Sequence, residues 1–175
     1  MLSLRPMTEV DLPVVGAWLR LPHVARWWTP DTTAEAELAK YRGRVRPAST
    51  SATYMLMVTL DGMPVGWCQW YRWADYPAPA CAIGAADGEI GIDYAIGDPA
   101  QVGRGTGTAL IAALTAEVRR DHPSAGFLAG PDAANRASRR VLEKNGFQLV
   151  AVRPVVTEPS DDPIAIYRLP PRELP

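Results

Sequence analysis

Residues 89–120 read EIGIDYAIGDPAQVGRGTGTALIAALTAEVRR and pass from strand to turn to helix. In residues 89–96 large apolar side chains alternate with Gly91, Asp93 and Ala95, the period of a strand. Gly97-Asp98-Pro99 breaks it. Glycines then recur at 103, 105 and 107, with Arg104 among them, before Leu110, Ile111, Leu114 and Val118 take up helical spacing. A helix start leaves backbone N–H groups unpaired and carries partial positive charge. Glycine lets those amides approach an anion closely. Residues 102–108 therefore read as a cradle for a phosphate or diphosphate; an ordinary Gly-rich connection is the plainer alternative.

The nucleotide loops with the best-known spacing do not fit. A dinucleotide fingerprint needs G-x-G-x-x-G near the start of a βαβ unit, and a P-loop needs Gly-Lys-Ser/Thr, which does not occur. The stretch instead resembles the coenzyme A loop of the GNAT superfamily of N-acetyltransferases, written Q/R-x-x-G-x-G/A. Gly105 and Gly107 match its small positions, whereas Val102 departs from its first position and Gln101 stands one residue earlier. Gly91-Ile92-Asp93 and residues 101–108 (QVGRGTGT) are more specifically similar to segments of aminoglycoside 6′-N-acetyltransferases. The resemblance extends over most of the chain. It implies a GNAT fold of the mixed α/β class, a mostly antiparallel central sheet flanked by helices.

Composition narrows the partners. A length of 175 residues predicts one domain, 1–175, and 47% apolar residues suffice for its core. A net charge of −1 gives no field favouring nucleic acid or an anionic membrane. The two cysteines, Cys68 and Cys81, are too few for a disulfide framework, and two histidines argue against a His-rich metal site. The start MLSLRPMTEVDL lacks the apolar run of a signal peptide, and no stretch is apolar enough to span a bilayer. A cytoplasmic protein without a metal, monomeric or homodimeric, is the expectation.

Either side of the cradle, punctuation sets the elements. Leu2–Pro6 is a first strand, and Thr8 begins a helix with Leu12, Val15, Trp18 and Leu19 on one face, ended by Pro22. Residues 23–28 form a short turn or helix, and 34–46 a polar helix. Thr53–Leu60 and residues 64–72 (PVGWCQWYR) make a hairpin around Asp61-Gly62. Residues 73–88, with two prolines and two glycines, read as a long loop. Then follow a strand at 124–128, a helix at 135–145 closed by Gly146, a strand at 147–156, an acidic turn and a last strand Ile164–Leu169.

Asp93 is the first candidate for chemistry. Asp is depleted in strands, and a carboxylate among apolar neighbours needs a partner or a purpose. Acetyl transfer needs a neutral amine, and a nearby carboxylate can hold the ammonium and accept its proton. The 6′-acetyltransferase resemblance assigns Asp93 that role, as general base or substrate anchor; a structural aspartate paired with a helix arginine is the alternative. Glu89, nearer the strand's start, reads as a solvated substitute. The resemblance implies acetyl-coenzyme A held by Ile96, Val102, Gly103, Arg104, Gly105, Thr106, Gly107 and Thr108, with a main-chain N–H near Tyr94 to Ile96 facing the thioester oxygen.

Residues 130–147 (GPDAANRASRRVLEKNGF) resemble the second half of the family's cofactor site, N-x-x-[AS]-x-x-x-Y-x-x-x-G-F. Asn135, Ser138, Gly146 and Phe147 match, and Leu142 replaces the tyrosine read as the acid for the departing thiolate. Gly130 stands where the 6′-enzymes carry a substrate aspartate, and Asp132, two residues on, is either its replacement or a turn residue. Trp27 and Trp28 follow His23 as paired tryptophans do in those enzymes. Trp73 and Tyr76, beside Asp75, read as an aromatic and acidic rim for a cationic sugar or amine, with core packing as the plainer fate of either ring; Asp161 and Asp162 either add charge to that rim or form a solvated turn.

The expected activity is acetyl-coenzyme A-dependent N-acetylation of a small-molecule amine, the 6′-amine of an aminoglycoside, by direct attack in a ternary complex. The alternatives are acylation of a siderophore or lysine-like amine, and non-catalytic binding of an acyl-coenzyme A, which the loss of tyrosine at Leu142 keeps open.

Overall fold

The computed structural model describes residues 1–28, 32–45, 51–155 and 162–172. Its strands are β1 (Leu2–Pro6), β2 (Thr53–Leu60), β3 (Met63–Arg72), β4 (Ile90–Ile96), β5 (Phe127–Ala129), β6 (Gln148–Arg153) and β7 (Ile164–Leu169). Its helices are α1 (Leu12–Leu19), α2 (Pro22–Trp28), α3 (Ala34–Val45), α4 (Pro77–Ile83), α5 (Thr106–Asp121) and α6 (Arg136–Lys144). The strands form one sheet in the order β1-β2-β3-β4-β5-β7-β6. β1–β2, β5–β7 and β6–β7 pair antiparallel. β4 and β5 run parallel, paired at Ile90↔Phe127 and Gly91↔Leu128, as a helical crossover through α5 requires. Among the described residues no helix is long and apolar enough to cross a membrane.

The contacts gather in two compact units, Met1–Trp70 with Asp93–Leu110, and Tyr71–Ile92 with Ile111–Pro175. The first is packed around Trp67, which is fully buried. Trp18 stacks on it at 6.1 Å, and Trp28 and Tyr41 meet it edge-on at 5.1 and 6.4 Å. The β2–β3 hairpin turns through Asp61 (φ 49°) and Gly62 (φ 83°), the left-handed pair that Asp-Gly supplies. Crowding around Trp18 is tight: a Cβ on Gly97 would lie 2.1 Å from its ring. Gly97→Ala is expected to destabilise the protein by about 1–3 kcal/mol through overpacking. A thermal midpoint equal to wild type would show that the ring shifts freely.

The second unit has its own core of Trp73, Ile83, Leu128, Val155, Ile164 and Ile166. Here the expected long loop proves mostly helical. Trp73–Asp75 form a 3-10 turn and Pro77–Ile83 form α4, which closes on Gly84 at φ 78°. Pro77 and Pro79 fall in the first turn of α4, where amides have no intrahelical partner, so two apparent breakers open a helix. β5 is also shorter than expected. Glu89 is buried rather than solvated. It accepts from Arg168 at 2.6 and 3.2 Å and from the Ala86 amide at 2.7 Å, so it serves as a strut between strand ends.

Candidate active site

The cradle forms where β4 ends. Asp98 caps a 3-10 turn over Pro99–Gln101, its side chain accepting from the Ala100 amide at 2.9 Å. The chain then turns through Gly103 (φ 76°) and Gly105 (φ 86°), a conformation that only glycine adopts without strain. Thr106 starts α5, and its hydroxyl donates to Gln101 Oε1 at 3.3 Å, tying loop to helix. Among the described residues the amides of Gly103, Gly105, Thr106 and Gly107 enter no turn or capping bond. A Cβ at Gly103 or Gly105 would meet nothing within 4 Å, so open space lies over the glycines. These are the features an anion needs at the start of a sixteen-residue helix. Val102 and Arg104 are exposed there, and Gly107 and Thr108 lie in the first helical turn.

Asp93 stands on β4, three residues before its end. The side chain is surrounded by protein yet keeps partial access to solvent. Burial pushes its carboxyl above the usual range; the Gln69 hydrogen bond and the Arg44 charge oppose that, and Glu37 adds to it. Gln69 Nε2 donates to Asp93 Oδ2 at 2.7 Å, and Arg44 donates to Gln69 Oε1 at 2.8 Å. The aspartate does answer to a helix arginine, but through a glutamine. Glu37, Tyr41 and Arg44 share one face of α3 by their i, i+4, i+7 spacing. Lys40 donates to Glu37 at 2.8 Å. The Tyr41 hydroxyl accepts from the Trp28 indole, and burial drives its pKa well above the ordinary phenol range.

The sequence-based candidates have divergent fates. Trp28 packs on Trp67 and bonds to Tyr41, whereas Trp27 is half-buried under the Arg26 guanidinium, 4.5 Å from its ring centre. His23 Nε2 donates to the Ile96 carbonyl at 3.1 Å, fastening α2 to the end of β4. In the second unit Trp73 is a core residue, 7% exposed and edge-on to Tyr71, so it forms no rim. Tyr76 caps α4 and also packs on Tyr71, and Arg72 occupies both oxygens of Asp75. Asp132 accepts from the Ala134 amide at 2.7 Å as a turn residue does. Asn135 caps α6 by accepting from the Ser138 amide at 3.0 Å. Leu142, at the tyrosine position, is fully buried. Asp162 is exposed, and Asp161 lies outside the described residues.

Gln69, Arg44, Tyr41 and Glu37 were not singled out from the sequence. The helical spacing of Glu37, Tyr41 and Arg44 was a usable signal for a shared face; nothing local pointed it at β3 or β4. Cys68 is fully buried and its thiol is pushed well above the ordinary range, so it is no nucleophile at neutral pH. The first unit thus sets a helix start with open space over its glycines and a partly buried carboxylate on one strand-loop-helix segment. That pairing suits transfer of a group from a diphosphate-bearing donor to an amine.

Comparison with known proteins agrees with this chemistry. A family model described as acetyltransferase (GNAT) domain matches residues 7–159. An aminoglycoside N(6′)-acetyltransferase type 1 of Klebsiella pneumoniae is 31% identical over 159 residues, covering 83% of this chain and 73% of that protein. The lysine N-acyltransferase MbtK of Mycobacterium tuberculosis is 28% identical over 147 residues, covering 82% and 67%. Among solved structures, the aminoglycoside acetyltransferase AAC(6′)-Ib in complex with coenzyme A superposes with a TM-score of 0.76 at 27% identity, over 97% of this chain and 95% of that one. The same enzyme with coenzyme A and kanamycin gives 0.74 at 28%, with the same coverage.

Proposed function

Because the chain belongs to the GNAT acetyltransferase family, whose solved relatives hold coenzyme A or acetyl-coenzyme A, we propose that residues 1–175 act as one acetyltransferase domain on the 6′-amine of an aminoglycoside. The observation that carries this is the Asp93 carboxylate, partly buried, held by Gln69 and on the strand that runs into the glycine turn. The similarity to aminoglycoside 6′-acetyltransferases supports the substrate class.

The amides of Gly103 to Thr108 hold the diphosphate of acetyl-coenzyme A, with Arg104 and the Thr108 hydroxyl beside it and Val102 and Ile96 along the entry to the loop. Asp93 draws the substrate ammonium in and takes its proton. The neutral nitrogen attacks the acetyl carbon, the carbon–sulfur bond breaks, coenzyme A leaves as its thiolate, and the second proton of the nitrogen passes to solvent as the amide forms. A main-chain N–H between Tyr94 and Ile96 faces the oxygen on which charge develops. Trp27 and Trp28 line the acceptor side. Leu142 donates no proton, so the thiolate departs without help from that position.

The test is thiol release on mixing the protein with acetyl-coenzyme A and kanamycin, with the acetyl position on the product fixed by NMR. Release with the acetyl group at the 6′-nitrogen is expected. Release with lysine-type amines but not kanamycin would favour the second reading, acylation of a lysine-like amine, to which the similarity to MbtK points. Cofactor binding without release across the amine panel would leave a non-catalytic binder.

A further inference from the structure

We propose that Arg44 is a positioning residue: by donating to the Gln69 side-chain oxygen it locks that amide with its NH2 toward the Asp93 carboxylate. This rests on Asp93 being the group that meets the acceptor amine. The geometry is a chain of two bonds, Arg44 to Gln69 Oε1 at 2.8 Å and Gln69 Nε2 to Asp93 Oδ2 at 2.7 Å.

A carboxamide can face a neighbour with either end, and its partners decide which. A guanidinium only donates, so it accepts nothing but the oxygen end. An ionised carboxylate only accepts, so it takes the NH2 end. With both partners present a single orientation satisfies everything, and it favours the ionised form of Asp93, the form that can bind an ammonium and receive its proton. Without Arg44 the amide is free to turn. Its oxygen then accepts from a protonated Asp93, and the neutral acid loses nothing.

Other groups act on the same carboxylate. Glu37, on α3, disfavours ionisation, and Lys40 partly offsets Glu37. Tyr41, also on α3, is neutral and bonded to Trp28. On α2, His23 is engaged by the Ile96 carbonyl. Among the described residues Arg44 is therefore the cation whose hydrogen bonds lead to Asp93, and Gln69 on β3 is the link.

The experiment is a carbon-13 carboxyl NMR titration of the full-length protein, with the Asp93 signal identified by its loss in Asp93→Asn. In Arg44→Met the Asp93 midpoint moves to higher pH by about one pH unit, the scale expected on losing an opposite charge nearby. Gln69→Leu moves it in the same direction. In the double variant Arg44→Met adds little beyond Gln69→Leu, because the shared link is already gone. Arg44→Gln, which keeps a polar side chain of intermediate length, replaces Arg44→Met if that variant does not fold. An unmoved midpoint overturns the proposal, and so does an Arg44→Met shift of equal size with and without Gln69, which would make Arg44 a distant charge only. The readout is a titration and not turnover, so its failure is separate from any failure to acetylate kanamycin. In the active enzyme the acid limb of kcat/KM for kanamycin moves with the midpoint while KM for acetyl-coenzyme A does not.

Discussion

Asp93→Asn lowers kcat for acetyl transfer to kanamycin by about 10²–10⁴-fold, the usual worth of a positioned base, and leaves acetyl-coenzyme A affinity as it was. The amide keeps the shape of the carboxylate and still presents an oxygen to Gln69 Nε2, so the hydrogen bond recorded at 2.7 Å has a replacement. It cannot take a proton or neutralise an ammonium. The same substitution raises thermal stability at neutral pH. Burial holds the Asp93 carboxyl above its ordinary value, so in the folded state it resists ionisation. For a group with a raised pKa the stabilising contribution is complete below the unfolded value and is lost as pH rises through the folded one. Ionising Asp93 in the folded state therefore costs stability, and asparagine relieves that cost. The excess in Tm over wild type shrinks as pH falls into the carboxylate range. Activity lost together with stability gained is the mark of a carboxylate kept for function. Full turnover in Asp93→Asn would remove it from the mechanism.

Gly107→Val is expected to weaken coenzyme A binding by about 100-fold or more, roughly 3 kcal/mol, while the protein stays folded. Gly107 lies in the first turn of α5 and has no positive φ, so valine, a better helix former than glycine, costs no helix propensity there. Its branched side chain comes between an incoming diphosphate and the amides that would hold it. Gly105 makes a poorer test: at φ 86° any side chain strains the loop whether or not a ligand binds. Calorimetric titration with coenzyme A, with Tm as the folding control, reads the effect. Wild-type affinity in a folded Gly107→Val protein would mean that the diphosphate does not sit on this turn.

Much of the candidate site was legible because its signals are short-ranged. The period of residues 89–96 marked β4, the glycines at 103, 105 and 107 marked the turn after it, and Leu110, Ile111, Leu114 and Val118 marked the buried face of α5. Residues 73–88 were misread for the same reason. Pro77, Pro79 and Gly84 count as breakers when taken singly, but a proline opening a turn and a glycine closing it bracket a helix. Trp73 was misplaced because adjacency to a proline-rich segment says nothing of which way a ring packs.

The order of residues along the chain was enough to establish the strand-turn-helix segment, an aspartate set in an apolar strand and the resemblance to a family of acetyltransferases. Each depends on groups a few positions apart, whose geometry follows from backbone sterics and periodicity. Folding in three dimensions decided the company that aspartate keeps. Arg44 meets Gln69 across 25 positions and Gln69 meets Asp93 across 24, a relay that strand pairing and helix packing bring together and no local pattern encodes. The protonation of a buried carboxylate depends on such neighbours and on the water they exclude, so its chemistry is a property of the fold.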